Sequence, residues 1–237
     1  MLLVKRSLWI SDTQCPYMHQ DGYMFLRAVK KKYGPFDLVG HIGDEIDNTA
    51  LSDFDPNPDG LTHGQELEAS VEQLEPIYEL FPKVIVFNSN HVEGRIERRR
   101  KRAGFSRLFL RQVKDVIGAP AGWQWKDDLT IKLPTGQRCY ITHGLDKNGL
   151  NLTKSFGMCT IQGHHHTKFA IQYHSTPHYL NWAMQIGCLI DSKAEAFAYA
   201  KKNKDRDILG LGLVINGLPL LVPMLLNHSG RWTGYVS

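Results

Sequence analysis

Met158-Cys159-Thr160-Ile161-Gln162-Gly163-His164-His165-His166 is an apolar, β-rich run that ends in a glycine and three histidines. Four other runs end in a similar way. Asp12-Thr13-Gln14 follows Ser7–Ile10, and Gly43-Asp44-Glu45-Ile46-Asp47 follows Leu38–Ile42. Asn90-His91 follows Val84–Phe87, and His143-Gly144 follows Arg138–Ile141. In an open α/β sheet the carboxyl ends of the strands face one crevice, so these five ends would bring Asp, Asn, Gln and His side chains together. An apolar interior tolerates so many polar groups only when they are paired or ligate a cation. The set reads as a binuclear metal site suited to phosphate esters.

The surrounding elements fit such a sheet. Phe25, Leu26 and Val29 give Gly22 to Lys32 a helical period that stops at Gly34-Pro35. Thr62 and Gln65 form a capping box ahead of a helix carrying Leu67, Val71, Leu74 and Ile77. Strand–helix–strand alternation predicts parallel pairing in the first half. The second half favours hairpins, with Leu129–Leu133 and Arg138–Ile141 flanking Pro134-Thr135-Gly136. Leu211–Ile215 and Leu218–Val222 flank Asn216-Gly217, a strong hairpin turn. The expected fold is α/β: two mixed β-sheets packed as a sandwich, with helices outside.

The 237 residues, 42% of them hydrophobic, suffice for one sizeable core, so residues 1–237 are expected to form a single domain. A rim or cap element is expected at about 92–126. The net charge of +4 permits a polyanionic partner without demanding one. Cys15, Cys139, Cys159 and Cys188 are scattered without paired spacing and read as reduced thiols. The opening residues read as a first strand and not as a signal peptide, and no apolar stretch reaches the roughly 20 residues of a membrane span. A cytoplasmic location without membrane contact is the expectation.

Asp12, Asp44, Asn90, His143, His164 and His166 offer six metal donors, and Gln14 offers a seventh. On an extended segment alternate residues share a side, so His164 and His166 would face the metals while His165 points away. Gly43 and Gly163 let the backbone turn sharply beside the ions.

The order Asp-x-Gln, Gly-Asp-x-x-Asp, Asn-His, His-Gly and Gly-His-x-His over residues 12–166 resembles the calcineurin-like metallophosphoesterase superfamily. That family has a histidine where Gln14 stands, and an acidic residue directly after Asn-His, where Val92 precedes Glu93 here. Asn48-Thr49 stands where the Ser/Thr protein phosphatase branch continues with Arg-Gly, which directs the reading away from that branch.

The resemblance implies a four-layer αββα fold and a hydroxide, activated between two divalent ions, that attacks phosphorus without a covalent enzyme intermediate. One ion would be held by Asp12, Gln14 and His166, the other by Asn90, His143 and His164, with Asp44 bridging. His91 would protonate the leaving oxygen or stabilise the phosphoryl oxygens, oriented by Asp47. The amide oxygen of Gln14 favours a harder ion, so Mn is the first expectation, with Fe, Zn and Mg as alternatives.

The basic run Arg95 to Arg102, continued by Arg107, Arg111 and Lys114, begins just after His91. Phe105, Leu108, Phe109 and Val113 suggest a helical apolar stripe along it. Arg95, Arg98 and Arg99 are the candidate substrate contacts, and Trp123 and Trp125 would either stack on bases or pack internally. The function expected is a phosphodiesterase or nuclease acting on nucleic acid. Alternatives are a phosphomonoesterase for a nucleotide, nucleic-acid end or phosphoprotein, and a non-catalytic phosphate- or protein-binding module. Asp53, Asp55 and Asp59 read as a mobile rim loop and not as a calcium loop, since prolines break the required spacing. His41, His165, His174 and His178 read as structural or solvent-facing histidines.

Overall fold

In the computed structural model, residues 1–53, 58–191 and 206–237 are described. The strands are β1 (Arg6–Ile10), β2 (Leu38–His41), β3 (Val84–Phe87), β4 (Trp123–Lys126), β5 (Asp128–Lys132), β6 (Arg138–Thr142), β7 (Cys159–Gln162), β8 (Phe169–Ser175), β9 (Leu180–Ile186), β10 (Gly210–Ile215) and β11 (Leu218–Pro223). The α-helices are α1 (Gly22–Tyr33), α2 (His63–Leu80), α3 (Arg95–Ala103), α4 (Val113–Val116) and α5 (Gly149–Phe156). A six-stranded sheet has the order β11-β10-β1-β2-β3-β4, and a five-stranded sheet the order β5-β6-β7-β9-β8. β1 to β4 run parallel, as the strand–helix alternation predicts, while β10 and β11 form the antiparallel hairpin at Asn216-Gly217. In the second sheet β6, β7 and β9 are parallel, flanked by antiparallel β5 and β8.

Strands covered on both faces read as unbroken apolar runs, and β1 and β7 are of that kind. Trp9, Ile42 and Phe87 of the first sheet meet Ile131, Ile141, Ile161, Trp182 and Met184 of the second in a buried layer. The outer face of the first sheet, through Leu8, Ile10, Val84 and Val86, packs on Phe25, Leu26 and Val29 of α1 and on Leu74 and Ile77 of α2. Each such side chain contributes about 1.5–3 kcal/mol when fully buried. α5 packs on β7, β8 and β9, completing a helix–sheet–sheet–helix sandwich. α2 begins with the expected capping box: Gln65 N donates to Thr62 Oγ1 at 3.4 Å, and Thr62 N to Gln65 Oε1 at 3.0 Å.

One expectation needs correction, one open reading is decided, and one element went unforeseen. The apolar stripe is not on one helix: α3 ends at Gly104, whose φ of +71° stops it, and Leu108 and Phe109 are 95% and 82% exposed on a separate 3-10 turn. Trp123 and Trp125 lie on β4, where Trp123 is buried and donates from Nε1 to Phe81 O, and Trp125 donates to Glu45 Oε1. Their role is packing. The hairpin of β8 and β9 was not anticipated, because edge strand β8 mixes polar and apolar residues without clean alternation. Asp53 is bound by Arg98 and Arg102, whereas Asp55 lies outside the described residues. All four cysteines are buried and unpaired. Among the described residues no helix is long and apolar enough to cross a membrane.

Candidate metal centre

The loops leaving β1 and β2 are zipped together. Asp12 N donates to Gly43 O (3.1 Å), Gln14 N to Asp44 O (2.8 Å), Cys15 N to Glu45 O (3.0 Å) and Asp47 N to Cys15 O (3.0 Å). This ladder fixes Asp12, Gln14, Asp44 and Asp47 relative to one another. The loops after β6 and β7 are tied by Gly163 N donating to His143 O, and they join the ladder where His164 N donates to Asp12 Oδ2, both at 2.9 Å. Gly163 is obligatory for that approach, since a Cβ there would lie 1.7 Å from Ser11 Oγ. Gly43 is equally constrained, with φ +82° and a Cβ position 2.8 Å from His143 Nδ1.

Asp12, Gln14, Asp44 and His164 all have left-handed backbone, with φ of 51°, 44°, 54° and 63°. Each such non-glycine residue costs about 1–3 kcal/mol, and such strain collects at functional sites. It also changes the reason that His164 and His166 are both available. The Gly163–Lys168 segment turns and is not extended, so the turn at His164, not strand alternation, separates the two rings.

The side chains form two adjoining groups. In the first, His143 Nε2 lies 2.8 Å from Asn90 Oδ1 and 3.3 Å from Asp44 Oδ2, and the His143 and His164 rings are 4.9 Å apart. Ligand atoms of Asp44, His143 and His164 all fall within 4.8 Å of one another, close enough to share one cation. His143 Nδ1 sits 2.6 Å from Ile42 O; the proton belongs there, which leaves Nε2 as the donor atom. In the second group His166 Nε2 is 3.1 Å from Asp12 Oδ1; Gln14 is fully buried, with its Nε2 3.4 Å from His91 Nδ1.

A cation fits this set. Gln14 Oε1 is buried without a hydrogen-bond donor, which costs about 1–3 kcal/mol unless something positive satisfies it, and the buried Asp44 Oδ2 is met by the His143 ring at 3.3 Å. Burial alone would raise the carboxyls of Asp12 and Asp44, yet both are held below the ordinary range, Asp12 mainly by His166 and Asp44 by His143 and His91. Burial opposes charge on His143, but Asp44 and Asp12 outweigh it and push its pKa up to about 10. An imidazolium therefore takes the place that a metal cation would hold among these carboxylates. His164 is pushed down to about 4 by burial and then by His143, so it is neutral and fit to ligate. Oxygen and imidazole donors with no thiolate suit Mn, Fe, Zn or Mg.

His91 stands beside the cluster without joining it. Its backbone N donates to Asp44 Oδ1 at 3.1 Å, and its Nδ1 lies 2.7 Å from Asp47 Oδ1. Asp47 is in turn held by Thr49 Oγ1 and by the buried Arg95, whose Nη1 reaches both its backbone O and its Oδ2. Arg95 Nη2 lies 3.4 Å from His91 Nε2. The Asn90–Gly94 segment that places His91 is a π-type turn running into α3, a device common at functional sites. Sequence reading missed this bracing role of Arg95 and the hydrogen bond from Asn48 Nδ2 to His91 O. The four-residue offset of Arg95 from His91, one helical turn, was the available signal.

The other expected substrate contacts are engaged elsewhere. Arg98 pairs with Asp53 at 3.3 Å, and Arg99 donates to the carbonyls of Leu51 and Ser52. Arg100 makes a two-pronged bond to Glu97 at 2.8 and 2.6 Å. His41 is buried, with its Nε2 3.0 Å from Thr13 Oγ1.

No protein-family model matches the chain, and no curated protein is similar to it. Among solved structures it is similar to an archaeal phosphodiesterase (13% identity, 92% of this chain and 99% of the other, TM-score 0.47). Vps29 of Chaetomium thermophilum (10%, 99% and 94%, TM-score 0.46) and the protein AQ665 of Aquifex aeolicus, of unknown function (15%, 69% and 80%, TM-score 0.39), are also similar. The two mixed sheets with flanking helices make the α/β sandwich expected from the sequence.

Proposed function

We propose that the chain is a metal-dependent phosphoesterase that hydrolyses phosphodiesters with two divalent ions bound. The observation that carries the reading is the unsatisfied buried Gln14 Oε1 and the buried Asp44 carboxylate, both set on strained backbone among imidazoles. One ion would be held by Asp12, Gln14 and His166, the other by Asn90, His143 and His164, with Asp44 serving both. Such ions supply Lewis acidity, offsetting charge on phosphate oxygens and lowering the pKa of water toward neutrality.

The chain's own residues supply the rest. Asp47 accepts the Nδ1 proton of His91, which leaves Nε2 as the atom that exchanges a proton with the leaving oxygen. Arg95 and Thr49 hold Asp47 still, and Asn48 anchors the His91 backbone. Ser11 Oγ and His164 N donate to Asp12 Oδ2 and leave Oδ1 toward His166. A pure binding module has no need of a braced His–Asp pair, which supports turnover.

A diester is favoured over a monoester because the guanidinium groups beside the cleft are already spent on protein partners. A monoester carries a second negative charge that would lack a free arginine. For nucleic acid, Arg95, Arg98 and Arg99 would each have to leave a partner.

The test is hydrolysis of chromogenic mono- and diesters and of single-stranded DNA by the full chain with Mn²⁺. Diester turnover that is lost on chelation and restored by Mn²⁺ is expected. No turnover with any divalent ion would leave the binding-module reading standing.

A further inference from the structure

Beside the His91–Asp47 pair lies an apolar cavity of about 340 Å³, in the range of about 300–1,000 Å³ typical of small-molecule sites. We infer that this cavity receives an uncharged alkyl or aryl arm of the phosphodiester substrate, the arm that departs with the leaving oxygen. The inference rests on the phosphoesterase reading and narrows its substrate class.

Placement is the first support. Ile46 and Asn48, which flank Asp47 in the chain, both line the cavity, as do Ile96 and Arg99, which flank Arg95 by one and four positions on α3. The lining thus reaches the two segments that carry Asp47 and Arg95. A proton given by His91 goes to the leaving oxygen, so the leaving group extends to the His91 side of the cleft. That side holds the cavity.

Chemistry is the second support. Leu51, Leu67, Leu110 and Val113 add to a largely apolar lining that also takes in His63. Three arginines also line it, each with its head tied to a protein acceptor. Arg99 donates to Leu51 O and Ser52 O, Arg100 to Glu97 and Phe105 O, and Arg111 to Asp115 O. They contribute mainly their aliphatic stems. A nucleobase would find few polar partners there. An apolar arm would bury surface against α2, α3 and the segment after Gly104.

The test measures inhibition and calorimetric binding of methyl-, butyl- and octylphosphonate with the Mn²⁺-loaded full chain. Each methylene that enters the cavity should tighten binding by up to about fourfold, so octyl- should greatly exceed methylphosphonate. Leu67→Trp and, from the opposite wall, Val113→Trp should each collapse the octyl-to-methyl ratio measured within the same protein. A ratio near one in the unaltered chain overturns the inference, and so does a ratio that survives both folded variants. Failure of methylphosphonate to bind would count against the phosphoesterase reading instead. In that event 1-hexanol and 1-octanol read the cavity directly: binding that grows with length and is lost in the Trp variants supports it, and its absence overturns it.

Discussion

Replacing His91 and Asp47 separates proton transfer from metal binding. Asp47 is almost wholly buried and lies 2.7 Å from His91 Nδ1, and the proposed mechanism gives His91 a proton to transfer and no metal to hold. A positioned general acid contributes about 10²–10⁴-fold. His91→Ala should lower kcat by that amount on a dialkyl diester, whose alkoxide must be protonated as it departs. On bis(4-nitrophenyl) phosphate, whose phenolate departs unaided, the loss should be much smaller. Asp47→Asn removes a hydrogen bond to a charged group, worth about 1.5–3 kcal/mol, which is about 10- to 150-fold in rate on the alkyl substrate. Steady-state kinetics on both diesters, with metal content measured on the same samples, is the assay. Equal losses on the two substrates, or an emptied metal site in His91→Ala, would refute the assignment.

Asp44→Asn should abolish both turnover and the metal-induced thermal shift. In the unaltered chain Mn²⁺ at about 100 times its Kd adds about 2.7 kcal/mol, or about 5–11 °C in Tm for a chain of this size; an intact shift in the variant would remove Asp44 from the metals. Gln14→His should move preference from Mn²⁺ toward Zn²⁺, and an unchanged metal titration would place Gln14 outside the coordination sphere. Asp21 is held at about 2, mainly by its paired hydrogen bonds from Arg231, in a clasp that also takes Trp232 N. The clasp stabilises fully above the ordinary carboxylate range near about 4 and is lost as pH falls toward about 2, so Asp21→Asn should flatten the acid limb of Tm against pH. An acid limb identical to that of the unaltered chain would contradict this.

Much of the fold was legible because its signals are local. The apolar runs at Ser7–Ile10 and Val84–Phe87, the capping box at Thr62 and the turn at Asn216-Gly217 each specify their element within a few residues. Strand ends then locate Asp12, Asp44, Asn90, His143 and His164, because parallel strands release their side chains at one edge. The rest depends on contacts distant in sequence. Nothing near Arg98 or Arg102 announces Asp53, and nothing near Asp47 announces Arg95, 48 residues on. So the charge run read as a free basic surface, although the fold had already neutralised much of it. Left-handed backbone at Gln14 and His164 is likewise invisible in residue type, since the zipped loops impose it. The cavity draws its walls from four separate segments and leaves no sequence pattern.

Metal stoichiometry coupled to turnover tests the central claim most directly. The metal-stripped full chain is titrated with Mn²⁺, while bound metal per chain and hydrolysis of a chromogenic diester are recorded together. The account expects two ions per chain, with hydrolysis rising until the second equivalent and then levelling. Saturation at one ion, or two bound ions with no hydrolysis, would contradict it.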